Sequence, residues 1–112
     1  MSSSKPVRLG LVGCGAIAES GHLPALLRHP RFKLVAVCDV RPERAAILSR
    51  KAGGIEACHD YRPLLGRKDL DAVILALHPE HSVNVAIDFL RNGKPVLDEK
   101  PRAAGIVAAT EA

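Results

Sequence analysis

Short runs of apolar residues alternate along the chain with segments in which apolar residues recur every three or four positions. Continuous runs rich in Val and Leu are typical of parallel strands buried on both faces, whereas the spaced pattern is typical of helices packed on a sheet. Strands that alternate with helices indicate right-handed crossovers. We therefore expect an α/β fold with a doubly wound parallel sheet of five strands in the order 3-2-1-4-5.

The same pattern gives the expected bounds of each element. It predicts strands at residues 7–12, 32–38, 55–58, 72–77 and 95–97. It predicts helices at about residues 16–29, 42–52, 62–65 and 82–91, and another from residue 103 onward. Gly21 and Pro24 interrupt the first helix, which we expect to bend or restart near residues 22–24.

A glycine turn follows the first strand. Gly13 and Gly15 are two positions apart, and Ala18 completes the spacing G-x-G-x-x-A where the strand leads into a helix. The first glycine allows a sharp turn, the second leaves room for a pyrophosphate, and the small third residue lets the helix pack closely on the strand. The helix that begins at about Ala16 directs free N–H groups at the phosphates. The pattern predicts a Rossmann-type dinucleotide site lined by Gly13, Gly15 and Ala16.

An acidic residue follows the second strand. Asp39 comes 24 positions after Gly15, where a carboxylate accepts hydrogen bonds from the adenosine ribose hydroxyls and repels a 2′-phosphate. Asp39 therefore favours NAD, while Arg41 and Arg44 are near enough to pair with a phosphate and keep NADP open. The alternative is that Asp39 only caps a helix or lies in a solvated loop.

Two further loops come after the fourth and fifth predicted strands. The first contains Leu77, His78 and Pro79, followed by His81, and it lies where a ligand of an open α/β sheet binds. We expect it to lie along the nicotinamide half of a dinucleotide, although a loop histidine is more often solvated. The second contains Lys100, whose ammonium can hydrogen-bond a substrate oxygen and stabilise negative charge on it. A solvated turn is the alternative there.

Four segments in this order, GLVGCGAIA, CDVRPERA, ALHPEH and NGKPVLDEKP, resemble the dinucleotide-binding half of the glucose–fructose oxidoreductase / inositol 2-dehydrogenase family. The resemblance covers nearly all of residues 7–112, and residues 93–101 are its most specific part. It implies an NAD(P)-dependent oxidoreductase that transfers hydride between nicotinamide and a sugar- or polyol-like alcohol or carbonyl.

The resemblance also implies roles for single residues. It implies pyrophosphate contacts for Gly13, Gly15 and Ile17, and a ribose contact for Asp39. It implies a position near the nicotinamide for Glu99, and contact of Lys100 with the reacting substrate hydroxyl.

Two features depart from the family pattern. The loop after the fourth strand has Pro79-Glu80 where the family usually has Pro-Asn or Pro-Pro, and the spacing leaves open whether His81 matches the family histidine. Family members also continue into a sixth strand and a second domain that supplies an Asp and a His for catalysis. We therefore expect the 112-residue chain to bind a dinucleotide weakly and to turn over poorly.

Composition and charge fit one globular domain with a polar leader, expected to be disordered, at residues 1–6. Apolar residues make up 47% of the 112 residues and charged residues 25%. The net charge of +4 is scattered and aromatics are only 3%, so we expect no nucleic-acid partner. No apolar run approaches the roughly 18 residues of a membrane span, so we expect no membrane partner and a cytoplasmic location.

Cysteine spacing and the expected sheet edge bear on compartment and assembly. Cys14, Cys38 and Cys58 follow no metal-site spacing and are expected to be thiols of a reducing compartment. Without a sixth strand, the fifth strand would be an open edge, and open edges pair with other chains. A homo-oligomer is therefore a further expectation.

Two other functions stay open at this stage. A non-catalytic nucleotide-binding or regulatory module, or half of a split protein, would bind the cofactor without turnover. A methyltransferase-like domain would also contain a Gly-Cys-Gly turn. Such sites usually carry an acid just before the glycines, where this chain has Leu11 and Val12.

Overall fold

The computed structural model describes residues 5–98 and 105–107. The elements in chain order are β1 (Val7–Val12), a π-helical turn (Ala18–His22), α1 (Leu23–Arg28), β2 (Phe32–Cys38), α2 (Pro42–Lys51), β3 (Glu56–Cys58), a 3-10 turn (Arg62–Leu64), β4 (Ala72–Leu75), α3 (Pro79–Arg91), β5 (Val96–Asp98) and β6 (Gly105–Val107). Two predicted bounds were wrong by two residues or more. β4 ends two residues early, and α3 begins at Pro79, because proline is well suited to the first turn of a helix.

The sheet has the order β3-β2-β1-β4-β5-β6, and its first five strands are parallel. This confirms the doubly wound α/β sheet with strands in the order 3-2-1-4-5. The order reverses between β1 and β4. The loops after these two strands therefore diverge and leave a crevice at the carboxyl edge.

The sixth strand, β6, corrects three expectations. β6 pairs antiparallel with β5, with Leu97 opposite Ile106. The helix expected from residue 103 is wrong at residues 105–107, and the sheet does not lack a sixth strand. Because β5 is paired on both sides, its expected open edge is also absent, and with it the basis for expecting a homo-oligomer.

Helices cover both faces of the sheet, as the near-continuous apolar strands require. On one face α1 and α2 pack Leu23, Leu26 and Leu48 against β1 and β4. On the other face α3 contributes Phe89, which is fully buried. The central strands are therefore enclosed, and their carboxyl ends are held in fixed positions.

One residue of β2 has no partner in β1. Leu9 pairs with Leu34 and Gly10 pairs with Ala36, so that Val35 is skipped and forms a bulge. Val35 and Ala36 consequently belong to the same face of the sheet, although successive strand residues normally alternate.

The first helical segment runs from residue 16 to residue 28 and changes its hydrogen-bond pattern within that length. The Leu23 amide donates to the Ala18 carbonyl, five residues back, and α1 then continues through Pro24. Proline has no N–H to donate, so the wider turn falls where a regular bond cannot form. The expected interruption near residues 22–24 is confirmed.

Candidate functional site

An open cleft of about 1380 Å³ lies at the carboxyl ends of β1, β2 and β4. The glycine turn after β1 forms one wall of this cleft, and the loop after β4 forms another. Asp39, Val40 and Arg41, which follow β2, also line it. The cleft thus lies at the reversal of strand order, where open α/β sheets bind their ligands.

Gly13 shapes the turn through its backbone. Its φ is +103°, a value that residues with a side chain rarely adopt, and its amide donates to the Cys38 carbonyl at 2.7 Å. A Cβ on Gly13 would be 2.4 Å from the carbonyl oxygen of Ala76. Gly13 is therefore required by the fold itself, because the turn crosses directly over the end of β4.

Gly15 differs from Gly13 because it faces open space. Among the described residues, the only atom within 4 Å of a Cβ built on Gly15 is Nη2 of Arg41, at 3.8 Å. Ala16 and Ile17 follow at the start of the helix, where amides have no partner within the helix, and Ile17 is 73% exposed. Ala18 is 1% exposed and packs in the core. This turn fits a phosphate group, since it offers backbone donors and room for close approach.

Cys14 is fully buried between the two glycines, and side chains hold both of its backbone polar groups. Its amide donates to Oδ2 of Asp39 at 2.7 Å. Its carbonyl accepts a hydrogen bond from Nε of Arg44, also at 2.7 Å. Asp39 directly follows β2, and Arg44 lies in the first turn of α2.

Asp39 is 7% exposed and accepts four hydrogen bonds. Besides the Cys14 amide, the Arg41 amide donates at 2.8 Å, and the Arg41 guanidinium donates at 3.1 and 3.2 Å. Burial alone would raise the pKa of Asp39, but the hydrogen bonds from Arg41 and Cys14 outweigh it and hold the pKa below its ordinary value. The carboxylate is therefore ionised at neutral pH.

The two arginines named with Asp39 have different partners and different positions relative to the cleft. Arg41 lines the cleft, and its side chain is 54% exposed. Arg44 does not belong to the cleft lining among the described residues, and it pairs with Glu19 at 2.7 Å. Sequence spacing alone could not distinguish the two.

The loop after β4 lies on the opposite side of the cleft. Leu77, His78 and Pro79 line it, and so does His81. His78 precedes α3 with an extended backbone, while Nε2 of His81 lies 3.4 Å from Glu80. Glu99 and Lys100 lie outside the described residues, and their roles stay predictions.

Sequence reasoning missed the part of the cleft formed after β3, which consists of residues 59–62. Tyr61 stands there with its hydroxyl donating to Asp88 and its ring 5.6 Å from that of Phe89. The carboxyl end of β3 lies at the same edge as those of β1 and β4. The parallel topology could therefore have indicated these residues.

No helix among the described residues is long and apolar enough to cross a membrane. Likewise, the described part of the chain has no group of three or more His, Cys, Asp or Glu side chains that could hold a metal ion.

Comparison with known proteins identifies relatives along nearly the whole chain. The chain is 37% identical over 100 residues to a dTDP-3,4-didehydro-2,6-dideoxy-alpha-D-glucose 3-reductase of Actinomadura kijaniata, covering 89% of this chain and 30% of that enzyme. It is 36% identical over 118 residues to an inositol 2-dehydrogenase of Acidothermus cellulolyticus, covering all of this chain and 34% of the relative.

A solved structure gives the same result for the fold. The 3-ketoreductase KijD10 from Actinomadura kijaniata, in complex with NADP and TDP-benzene, superposes with a TM-score of 0.80 at 37% identity. The match covers 87% of this chain and 30% of that one. The chain thus spans about a third of the length of its relatives.

The family described as "Oxidoreductase family, NAD-binding Rossmann fold" matches residues 7–112. This confirms the resemblance drawn from the four sequence segments. The chain therefore belongs to the glucose–fructose oxidoreductase / inositol dehydrogenase family of oxidoreductases and is an NAD(P)-binding Rossmann domain of that family.

Proposed function

We propose that this chain holds the dinucleotide of an oxidoreductase that transfers hydride between a nicotinamide ring and a sugar- or polyol-like alcohol or carbonyl. The observation that carries the proposal is the glycine turn, which opens onto a cleft at the reversal of strand order. The relatives support the substrate class, because one is named for a dideoxy sugar and the other for inositol.

The pyrophosphate would lie against Gly13, Gly15, Ala16 and Ile17. Gly15 provides the space, and the amides at the start of the helix provide donors for the phosphate oxygens. Arg41 lies next to Gly15 and adds positive charge at the mouth of the cleft.

The adenosine end would lie at Asp39, with NAD preferred over NADP. The ionised carboxylate attracts ribose hydroxyls and repels a 2′-phosphate. Ribose hydroxyls would replace the guanidinium of Arg41 on the carboxylate. That exchange is open to Arg41 because its side chain is half exposed. Arg41 would be the partner of a 2′-phosphate when NADP binds.

The nicotinamide end would lie along Leu77, His78 and Pro79, with Glu99 close by. When bound, the nicotinamide ring accepts or donates the hydride. Lys100 would hydrogen-bond the reacting substrate oxygen and stabilise negative charge on it. The first assignment rests on the position of Leu77, His78 and Pro79 in the lining of the cleft. The assignments of Glu99 and Lys100 rest on the family resemblance.

Calorimetric titration of the 112-residue chain with NAD and with NADP tests the binding proposal. We expect both to bind, and NAD to bind more tightly. Absence of heat and of thermal stabilisation with either dinucleotide would contradict the proposal. Tighter binding of NADP would contradict the assignment of Asp39.

An alcohol-oxidation assay with inositol and galactose tests the catalytic part. We expect little or no turnover by the 112-residue chain, and robust turnover would contradict that expectation.

We also propose a reducing compartment, the cytoplasm, because the thiols of Cys14, Cys38 and Cys58 are free.

A further inference from the structure

Three successive peptide units in the glycine turn are held by partners outside the turn. The Gly13 amide donates to the Cys38 carbonyl, which fixes the first unit. The Cys14 amide donates to Asp39, which fixes the second. The Cys14 carbonyl accepts from Arg44, which fixes the third. The hydrogen bond that fixes the third unit is donated by one side-chain nitrogen, Nε of Arg44.

The third peptide unit joins Cys14 to Gly15, so its two polar groups move together. A peptide unit is planar and trans, and its N–H therefore points away from its C=O. The Cys14 carbonyl is directed at Arg44, which is not among the described residues that line the cleft, whereas Gly15 is. The N–H of Gly15 is consequently aimed in the opposite direction.

Arg44 is itself held in place by an ion-pair network. Its Nη2 lies 2.7 Å from Oε1 of Glu19, and Oε2 of the same carboxylate lies 3.4 Å from Nζ of Lys51. Glu19 belongs to the π-helical turn, and its amide donates to the Gly15 carbonyl at 3.0 Å. Arg44 thus links α2 with Cys14 at one end of residues 14–19 and with Glu19 at the other. The Glu19 carboxylate neutralises the charge of the Arg44 guanidinium.

We propose that Arg44 is a positioning residue for the dinucleotide, acting through the Cys14 carbonyl rather than touching the ligand. It fixes the orientation of the Gly15 amide before the ligand arrives, so that binding does not have to order the turn. This inference rests on the proposed function. It replaces the earlier expectation that Arg44 contacts the cofactor directly.

The test compares Arg44→Met and Arg44→Lys with Arg50→Met, a matched change at an exposed position of the same helix. Calorimetry gives the Kd of each folded variant for NAD and for NADP. Amide hydrogen exchange without any dinucleotide reports the order of residues 14–17. A melting curve shows how much of each variant is folded.

We expect Arg44→Met to weaken NAD and NADP by the same factor, about tenfold, since it removes a hydrogen bond from a charged donor. Exchange at Cys14, whose amide is hydrogen-bonded to Asp39, should rise in that variant. Arg44→Lys should recover part of the affinity, because an ammonium still reaches one of the two partners, and Arg50→Met should change neither quantity.

Two results would overturn the inference. Unchanged affinity of folded Arg44→Met would show that Arg44 only stabilises the fold. Selective loss of NADP would show that Arg44 contacts the 2′-phosphate. Failure of the proposed function is distinguishable from both, since the unsubstituted chain would then bind neither dinucleotide.

Discussion

Gly13 after β1 lies so close to the carbonyl group of Ala76 after β4 that a Cβ on Gly13 would be 2.4 Å from the Ala76 oxygen. The backbone at Ala76 cannot easily move aside because its amide donates to the Val12 carbonyl at 2.8 Å, and the φ of +103° at Gly13 adds conformational strain. We expect Gly13→Ala to lower the free energy of unfolding by about 2–4 kcal/mol, as measured by urea denaturation.

Gly54→Ala separates the two causes of that loss. Gly54 also has a positive φ, +89°, but no atom of the part of the chain that the structure describes lies within 4 Å of a Cβ built there. We expect a loss of about 1–2 kcal/mol from conformation alone. Equal losses at the two positions would contradict the steric role of Ala76.

Gly15→Ala should affect binding rather than folding. The added methyl group enters open space beside Arg41, so the fold is kept, but it occupies the position that a phosphate approaches. We expect the Kd for NAD to rise about tenfold or more with little change in melting temperature. Gly21→Ala, also in open space but outside the cleft lining among the described residues, is the control. The same Kd change in both variants would contradict the phosphate position.

Asp39→Asn should shift the preference between the two cofactors. The amide oxygen can still accept from the Cys14 amide, but the negative charge that holds Arg41 is lost. We expect the ratio of the NAD Kd to the NADP Kd to rise about tenfold, measured by calorimetry. Asp69→Asn removes a carboxylate paired with a nearby arginine, Arg67, and should leave the ratio unchanged. An unchanged ratio in Asp39→Asn would contradict the ribose assignment.

The ion pair of Arg8 and Asp71 should contribute stability that depends on pH. Nε and Nη2 of Arg8 donate to the two carboxylate oxygens at 3.0 Å each, joining β1 to the start of β4. These hydrogen bonds lower the pKa of Asp71 from 3.8 to about 2. Because the pKa is lower in the folded state, the stabilisation is fully present above pH 3.8 and is lost as the pH falls toward 2.

Asp71→Asn tests this sign. Both side chains are 41% exposed, so we expect a destabilisation of only about 1 kcal/mol at pH 7. The difference from the unsubstituted chain should shrink toward zero as urea denaturation is repeated down to pH 2. A difference independent of pH would mean that the carboxylate charge contributes nothing.

The parallel strands were predictable because burial on both faces leaves continuous apolar runs in the sequence. The glycine turn and Asp39 were predictable because their spacing follows from the geometry of one crossover. The strand β6 was not, since the small and apolar residues around Ile106 suit a helix locally and only pairing with β5 decides the outcome. Likewise, Arg41 and Arg44 are equivalent in sequence, and only the packing of α2 turns one to the cleft and the other to Cys14.

The bulge at Val35 determines which residue of the second strand arrives beside the glycine turn. Past the bulge, Val12 is opposite Cys38, so Asp39 comes level with Gly13 and reaches the Cys14 amide. If Val35 paired with Gly10 in a regular ladder instead, each later residue of β2 would shift by one position along β1 and turn to the other face, and the carboxylate would pass its partner. A homologue that lacks this extra residue, aligned without a gap, would therefore be assigned the wrong counterpart of Asp39. A loop transplanted from such a homologue would then misplace the carboxylate that we propose binds the ribose.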